Sequence, residues 1–140
     1  MTRSRIVAMC LVVGMVALIG ACASAPKGPT DQELIDKMIG DWQAAVLSKN
    51  LDQMMAITSD SFSSAEAADK AAWKSYLEWV ISSGYLDGAQ VDAANAKTTI
   101  EGERATVGPV VLTTPAGVFN LELTLAKEDG SWKVVSQRAG

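Results

Sequence analysis

The sequence predicts an α+β domain with helices packed on one face of an antiparallel sheet. Three observations carry this. Apolar residues recur at helical spacing up to about Gly84, and the period changes to about two after Gly88. Strong turn signals at Glu101-Gly102-Glu103, Pro115-Ala116-Gly117 and Glu128-Asp129-Gly130 then cut the second half into consecutive hairpins.

The helical half opens on Thr30-Asp31-Gln32-Glu33, which fits a capping box with Thr30 as N-cap. Leu34, Ile35, Met38, Ile39, Trp42, Ala45 and Val46 follow on one face. This helix is expected to end near Asn50, which tolerates the left-handed conformation. Residues 51–57 predict a short second helix, and 58–61 a turn, with Phe62 on a very short strand. A third helix is expected over residues 65–83, with Trp73, Tyr76, Leu77, Val80 and Ile81 on its apolar face and Trp79 partly exposed.

The sheet half predicts a weak strand over 91–100, diluted by Ala93, Ala94 and Ala96, and a second over 104–114. Residues 118–127 alternate cleanly, with Phe119, Leu121, Leu123 and Leu125 opposite Asn120, Glu122 and Thr124. Residues 131–137 close the chain, with Trp132 and Val134 set against Lys133 and Val135.

The N-terminus reads as an address. Arg3 and Arg5 precede an uncharged run from Ile6 to Ile19, and small residues follow at Gly20, Ala21 and Ala23. A basic start, a short apolar stretch and a small-residue end are the parts of a secretory signal. Ile19-Gly20-Ala21-Cys22 resembles the bacterial lipobox. That resemblance implies cleavage before Cys22 and lipidation of its sulfur. One acyl chain binds a membrane only marginally, whereas two or three hold stably. Ala23 and Ser24 after the cysteine imply the outer membrane of a Gram-negative cell, with the domain facing the periplasm. The expected organisation is therefore a signal peptide over 1–21, a lipidated Cys22 with a tether over 22–29, and one domain over 30–140. The two cysteines are Cys10 and Cys22, so the processed chain has no intrachain disulfide.

Composition bounds the chemistry. The chain of 140 residues has no His, the commonest general base and metal ligand. Without residues 1–21 it carries ten basic against sixteen acidic side chains, which disfavours nucleic acid. No phosphate-binding glycine loop, nucleophile elbow or dinucleotide fingerprint occurs. No metal site and no cofactor are expected, since no calcium-loop spacing is present. Gly108 fits a strand bend and Gly117 a turn.

Trp42 in the first helix, the Asp60-Ser61-Phe62 turn and the closing Asp129-Gly130-Ser131-Trp132-Lys133-Val134 resemble the nuclear transport factor 2-like (NTF2-like) superfamily. That superfamily includes SnoaL-like cyclases and ketosteroid isomerase. The resemblance covers about Asp31 to Arg138. It implies a cone-shaped fold, a curved meander wrapped round helices with an apolar cavity, and dimers formed through sheet surfaces. The fold hosts unrelated functions. In ketosteroid isomerase an aspartate base works with a tyrosine and a protonated aspartate. Asp60 is the corresponding catalytic candidate, with Tyr76 or Tyr85 as the phenol. No second acid is assigned, so the isomerase constellation is not matched, and an Asp among Thr58, Ser59 and Ser61 reads first as a turn residue bonding local amides. Glu122 reads as the wet face of a half-buried strand, and Glu101, Glu103, Glu128 and Asp129 as turn charges. Trp42, Trp73 and Tyr76 are candidates to line a ligand cavity, or else simply core.

The reading leans away from an enzyme. It favours a lipid-anchored module that binds a small apolar ligand, a protein partner or a second copy. The alternative is an isomerase, dehydratase or cyclase using Asp60 with a tyrosine.

Overall fold

The computed structural model describes residues 28–140. The expected signal segment, the lipobox-like tetrad and Cys22 lie outside the described residues. Helix α1 (Asp31–Leu47) begins with the capping box in full: the Glu33 amide donates to Thr30 Oγ1 at 3.2 Å, and the Thr30 amide donates to Glu33 Oε2 at 2.7 Å. It ends earlier than Asn50. Lys49 takes the left-handed conformation at φ 54°, and Asn50 instead N-caps α2 (Leu51–Ala56), accepting from the Gln53 amide at 3.1 Å.

Helix α3 (Lys70–Ser82) starts five residues later than its composition suggests. Asp69 is its N-cap, accepting from the Ala72 amide at 2.8 Å. Ser64 holds the preceding residues in a turn, accepting from the Glu66 amide while its own amide donates to the Ala67 carbonyl. Two local side-chain bonds thus outweigh the helix propensity of Ala65 and Ala67.

The sheet has five antiparallel strands: β1 (Gln90–Asp92), β2 (Lys97–Glu101), β3 (Arg104–Thr114), β4 (Gly117–Glu128) and β5 (Ser131–Ala139). Its order is β1-β3-β4-β5, with β2 paired to the other end of β3. The single strand expected over 91–100 is therefore two. Asp92 breaks it by accepting from the Ala94 amide at 2.8 Å, and a turn from Ala93 to Ala96 follows.

Two bulges set which side chains face the helices. On β3, Val107 opposes Leu123 and Val110 opposes Leu121, so Gly108 and Pro109 share one partner, Glu122. The extra residue shifts the side-chain alternation, and Val110, Leu112 and Thr114 turn inward beyond it. Gly108 lies so close to β4 that a Cβ there would sit 3.1 Å from the Leu121 carbonyl oxygen and 3.2 Å from Glu122 Cα. On β5, Val134 opposes Leu125 and Ser136 opposes Thr124, leaving Val135 as the extra residue. Val135 was expected on the outer face with Lys133; the bulge buries it beside Val134.

The core lies between the helices and the inner sheet face, with Ile35, Ala45, Phe62, Val110, Leu123 and Leu125 almost wholly buried. The 58–63 segment runs along β5 without forming the short strand expected at Phe62. Thr58 makes one parallel bridge to Val134, and the Ser59 and Ser63 amides donate to the Val134 and Val135 carbonyls. The start of α1 is tied to the β4–β5 hairpin, where Lys127 Nζ and Trp132 Nε1 donate to Asp31 Oδ1 at 2.8 and 3.2 Å.

Candidate functional site

A cavity of about 360 Å³ opens between α3 and the end of the sheet formed by the β3–β4 hairpin and the end of β5. Its inner wall comes from Trp42 and Val46 on α1, Met54 on α2, and Trp73, Leu77 and Val80 on α3. The facing sheet supplies Leu112, Phe119, Leu121 and Val134. Leu112 and Thr114 reach this surface only because of the β3 bulge, and Gln137 and Ala139 because of the β5 bulge. The size lies at the lower end of small-molecule pockets, roughly 300–1,000 Å³, and the apolar wall with few polar groups fits that class.

Helix α3 presents aromatic rings three residues apart, at Trp73, Tyr76 and Trp79, and the chain on either side extends the row. Phe62 stacks on Trp73 with centroids 4.8 Å apart, Trp73 on Tyr76 at 5.3 Å, Tyr76 meets Trp79 at 6.0 Å, and Trp79 meets Tyr85 at 5.1 Å. The row runs from the core to solvent: Phe62 and Trp73 are buried, while Trp79 is 53% exposed. Four of the five rings line the cavity.

The polar groups of the wall are few. Thr58 Oγ1 is spent on the Met54 carbonyl at 2.8 Å, and Thr114 Oγ1 on the β3–β4 turn. Glu66, Tyr76, Tyr85 and Gln137 remain, and Glu66 is the only charged residue in the lining. Burial, and then the negative charge of Glu66, push the Tyr76 phenol above its usual range. Tyr76 is therefore a neutral hydrogen-bond donor at physiological pH, not a base.

Trp42, Trp73 and Tyr76, the residues proposed to meet a ligand, all stand on this wall, as does Tyr85. Asp60 does not. Its side chain is 97% exposed, outside the cavity lining, and Lys70 Nζ donates to it at 2.9 Å. That hydrogen bond, and then the Lys70 charge, hold the Asp60 carboxyl below its ordinary range, so it stays ionised and committed to a surface pair. Asp60 thus stands outside the wall that holds Tyr76 and Tyr85. Within the turn it is the buried Ser59, not Asp60, that accepts the Ser61 amide, and Ser59 Oγ also donates to Glu128 at 2.6 Å. Glu128, read as a turn charge, is accordingly half-buried and structural. Glu122 accepts from Arg138 at 2.8 Å outside the cavity, as a wet-face residue does.

Sequence reasoning missed Glu66, Leu86 and Gln137 as wall residues. Glu66 was hidden inside an overlong helix, and Gln137 lies beyond a bulge no local pattern signals. Among the described residues no cluster of three acidic, cysteine or histidine side chains could hold a metal ion. No helix among them is long and apolar enough to cross a membrane.

No family model matches the chain, and no curated protein matches its sequence. Solved structures do. An NTF2-like protein from Cytophaga hutchinsonii is 13% identical, with a TM-score of 0.64 over 79% of this chain and 98% of that one. The chain has an NTF2-like fold. An NTF2-like protein of unknown function from Pseudomonas putida gives 0.62 at 14% identity, covering 76% of this chain and 82% of that one. A candidate ketosteroid isomerase from Shewanella frigidimarina gives 0.65 at 16% identity, covering 76% and 94%. At such identities the likeness concerns the NTF2-like architecture alone, and activity must be argued from the cavity.

Proposed function

We propose that this NTF2-like chain is a non-catalytic, lipid-anchored binding module that takes a small apolar ligand in its cavity. One observation carries the reading: the cavity wall is aromatic and aliphatic, with Glu66 as its single carboxylate. The displacement of Asp60 to the surface weighs against the isomerase, dehydratase or cyclase alternative. The anchor rests on the signal-like start and the lipobox-like Ile19-Gly20-Ala21-Cys22. It places the domain at the outer membrane of a Gram-negative cell, facing the periplasm. A homodimer through the outer sheet face is compatible with it.

Native mass spectrometry of the full chain extracted from its host envelope tests this reading. The expected result is a chain beginning at Cys22, heavier by its acyl groups and carrying a retained small molecule. A chain still beginning at Met1 in the soluble fraction would contradict the anchor. Turnover of a carbonyl or steroid-like substrate by the purified protein would contradict the non-catalytic assignment.

A further inference from the structure

The charge at the cavity mouth narrows the ligand class. None of the lining residues is Lys or Arg, and the only ionised one is Glu66, which is exposed and joins none of the ion pairs among the described residues. Of the nearby lysines, Lys70 pairs with Asp60 at 2.9 Å and Lys49 with Asp87 at 2.6 Å, while Lys74, between Trp73 and Tyr76 on α3, stands outside the lining. The aromatic row also changes character toward the mouth. Deep in the row, ring planes lie 30° and 21° apart, closely stacked. At the mouth they open to 36° between Tyr76 and Trp79 and 50° between Trp79 and Tyr85, and the last two rings leave much of their surface uncovered. Uncovered ring faces attract cations, and Glu66 adds a full negative charge to the same lining. An anionic head would meet Glu66 with no basic side chain in the wall to offset it.

We infer that the cavity selects a cationic amphiphile, whose apolar body fills the space between Trp42, Trp73 and the sheet while an ammonium head stays at a rim that carries the Glu66 carboxylate and the uncovered rings of Trp79 and Tyr85. This rests on the binding reading given above and adds the sign of the ligand's charge. The charge of Glu66 reaches the mouth: it helps to raise the Tyr76 phenol.

Three probes of one shape test it: 4-phenylbutylammonium, 4-phenylbutanol and 4-phenylbutyrate. Each is titrated against the full chain in nanodiscs of zwitterionic lipid, following tryptophan fluorescence, with empty discs subtracted. The ammonium probe should bind about fivefold more tightly than the alcohol, as an exposed ion pair or cation–π contact allows. The carboxylate should bind most weakly. Glu66→Gln should lower the ammonium-to-alcohol ratio the most, and Trp79→Leu should lower it in part. Equal binding of ammonium and alcohol, tightest binding of the carboxylate, or a ratio that survives Glu66→Gln overturns the charge preference while leaving an apolar pocket. Failure of all three probes to bind overturns both.

Discussion

Trp73 is where the aromatic row meets the core, and Trp73→Leu measures what that junction contributes. The ring is 6% exposed and stacks on Phe62 at 4.8 Å and on Tyr76 at 5.3 Å. Each aromatic pair contributes about 0.5–1.5 kcal/mol beyond area burial, so losing both costs about 1–3 kcal/mol. Leucine also leaves space that merges with the existing cavity. Full truncation of a buried tryptophan costs about 3–5 kcal/mol, and leucine recovers part of that, giving about 2–4 kcal/mol. Helix propensity hardly changes, because leucine is a good helix former. Trp79→Leu is the control. It lies six residues along the same helix, but it is 53% exposed, so a leucine there uncovers little buried surface and about 1 kcal/mol or less is at stake. Urea unfolding followed by circular dichroism reads both, as shifts in midpoint at constant slope. A domain of this size has about 5–15 kcal/mol in all, so the difference is easily resolved. Equal destabilisation by the two variants, or none by Trp73→Leu, would refute the account of the row as running from core to solvent.

Asp60→Asn should leave cavity binding of 4-phenylbutanol unchanged, because the side chain pairs with Lys70 away from the wall; a clear loss in the same fluorescence titration would restore Asp60 to the site. Two glycine substitutions should act with opposite sign in thermal melts. Gly40→Ala meets nothing within 4 Å on the exposed side of α1 and should stabilise by about 0.5–1 kcal/mol, whereas Gly108→Ala collides with β4 backbone and should cost about 1–3 kcal/mol. The Asp31 carboxyl is held below its ordinary range chiefly by the Lys127 hydrogen bond; burial opposes this, and the Trp132 hydrogen bond and the Lys127 charge add to it. A depressed folded-state value means that its contribution is complete above the unfolded-state value and fades as pH falls through the folded one. Below about pH 4 the wild type should therefore lose stability more steeply than Asp31→Asn, and parallel acid limbs in urea titrations would count against the Asp31–Lys127–Trp132 tie.

The helices and hairpins were legible because their signals are local. The capping box at Thr30 is complete within four residues, and the alternation from Phe119 to Leu125 survives as an inner and an outer face. What escaped depends on pairing across the sheet. The bulge at Gly108 and Pro109 is visible in sequence only as two residues that weaken a strand, yet it decides that Leu112 and Thr114 face inward. The bulge at Val135 carries no signal at all, because two valines in a strand fit either face. The late start of α3 and the division of the first strand were decided by Asp69, Ser64 and Asp92 accepting backbone amides, against the propensity of the alanines nearby. Trp42, Trp73 and Tyr76 could be nominated as wall residues from their helical spacing. Which inner residues border empty space, and that Asp60 does not, depends on how three helices and two bulged strands meet.

The most direct test is a heteronuclear NMR titration of the full chain in nanodiscs with the neutral probe 4-phenylbutanol. A binding cavity predicts saturable shifts confined to the indole and backbone amides of Trp42, Trp73, Tyr76, Leu112 and Phe119. Shifts that never saturate, or that map onto the outer sheet face around Glu122 and Arg138, would contradict it.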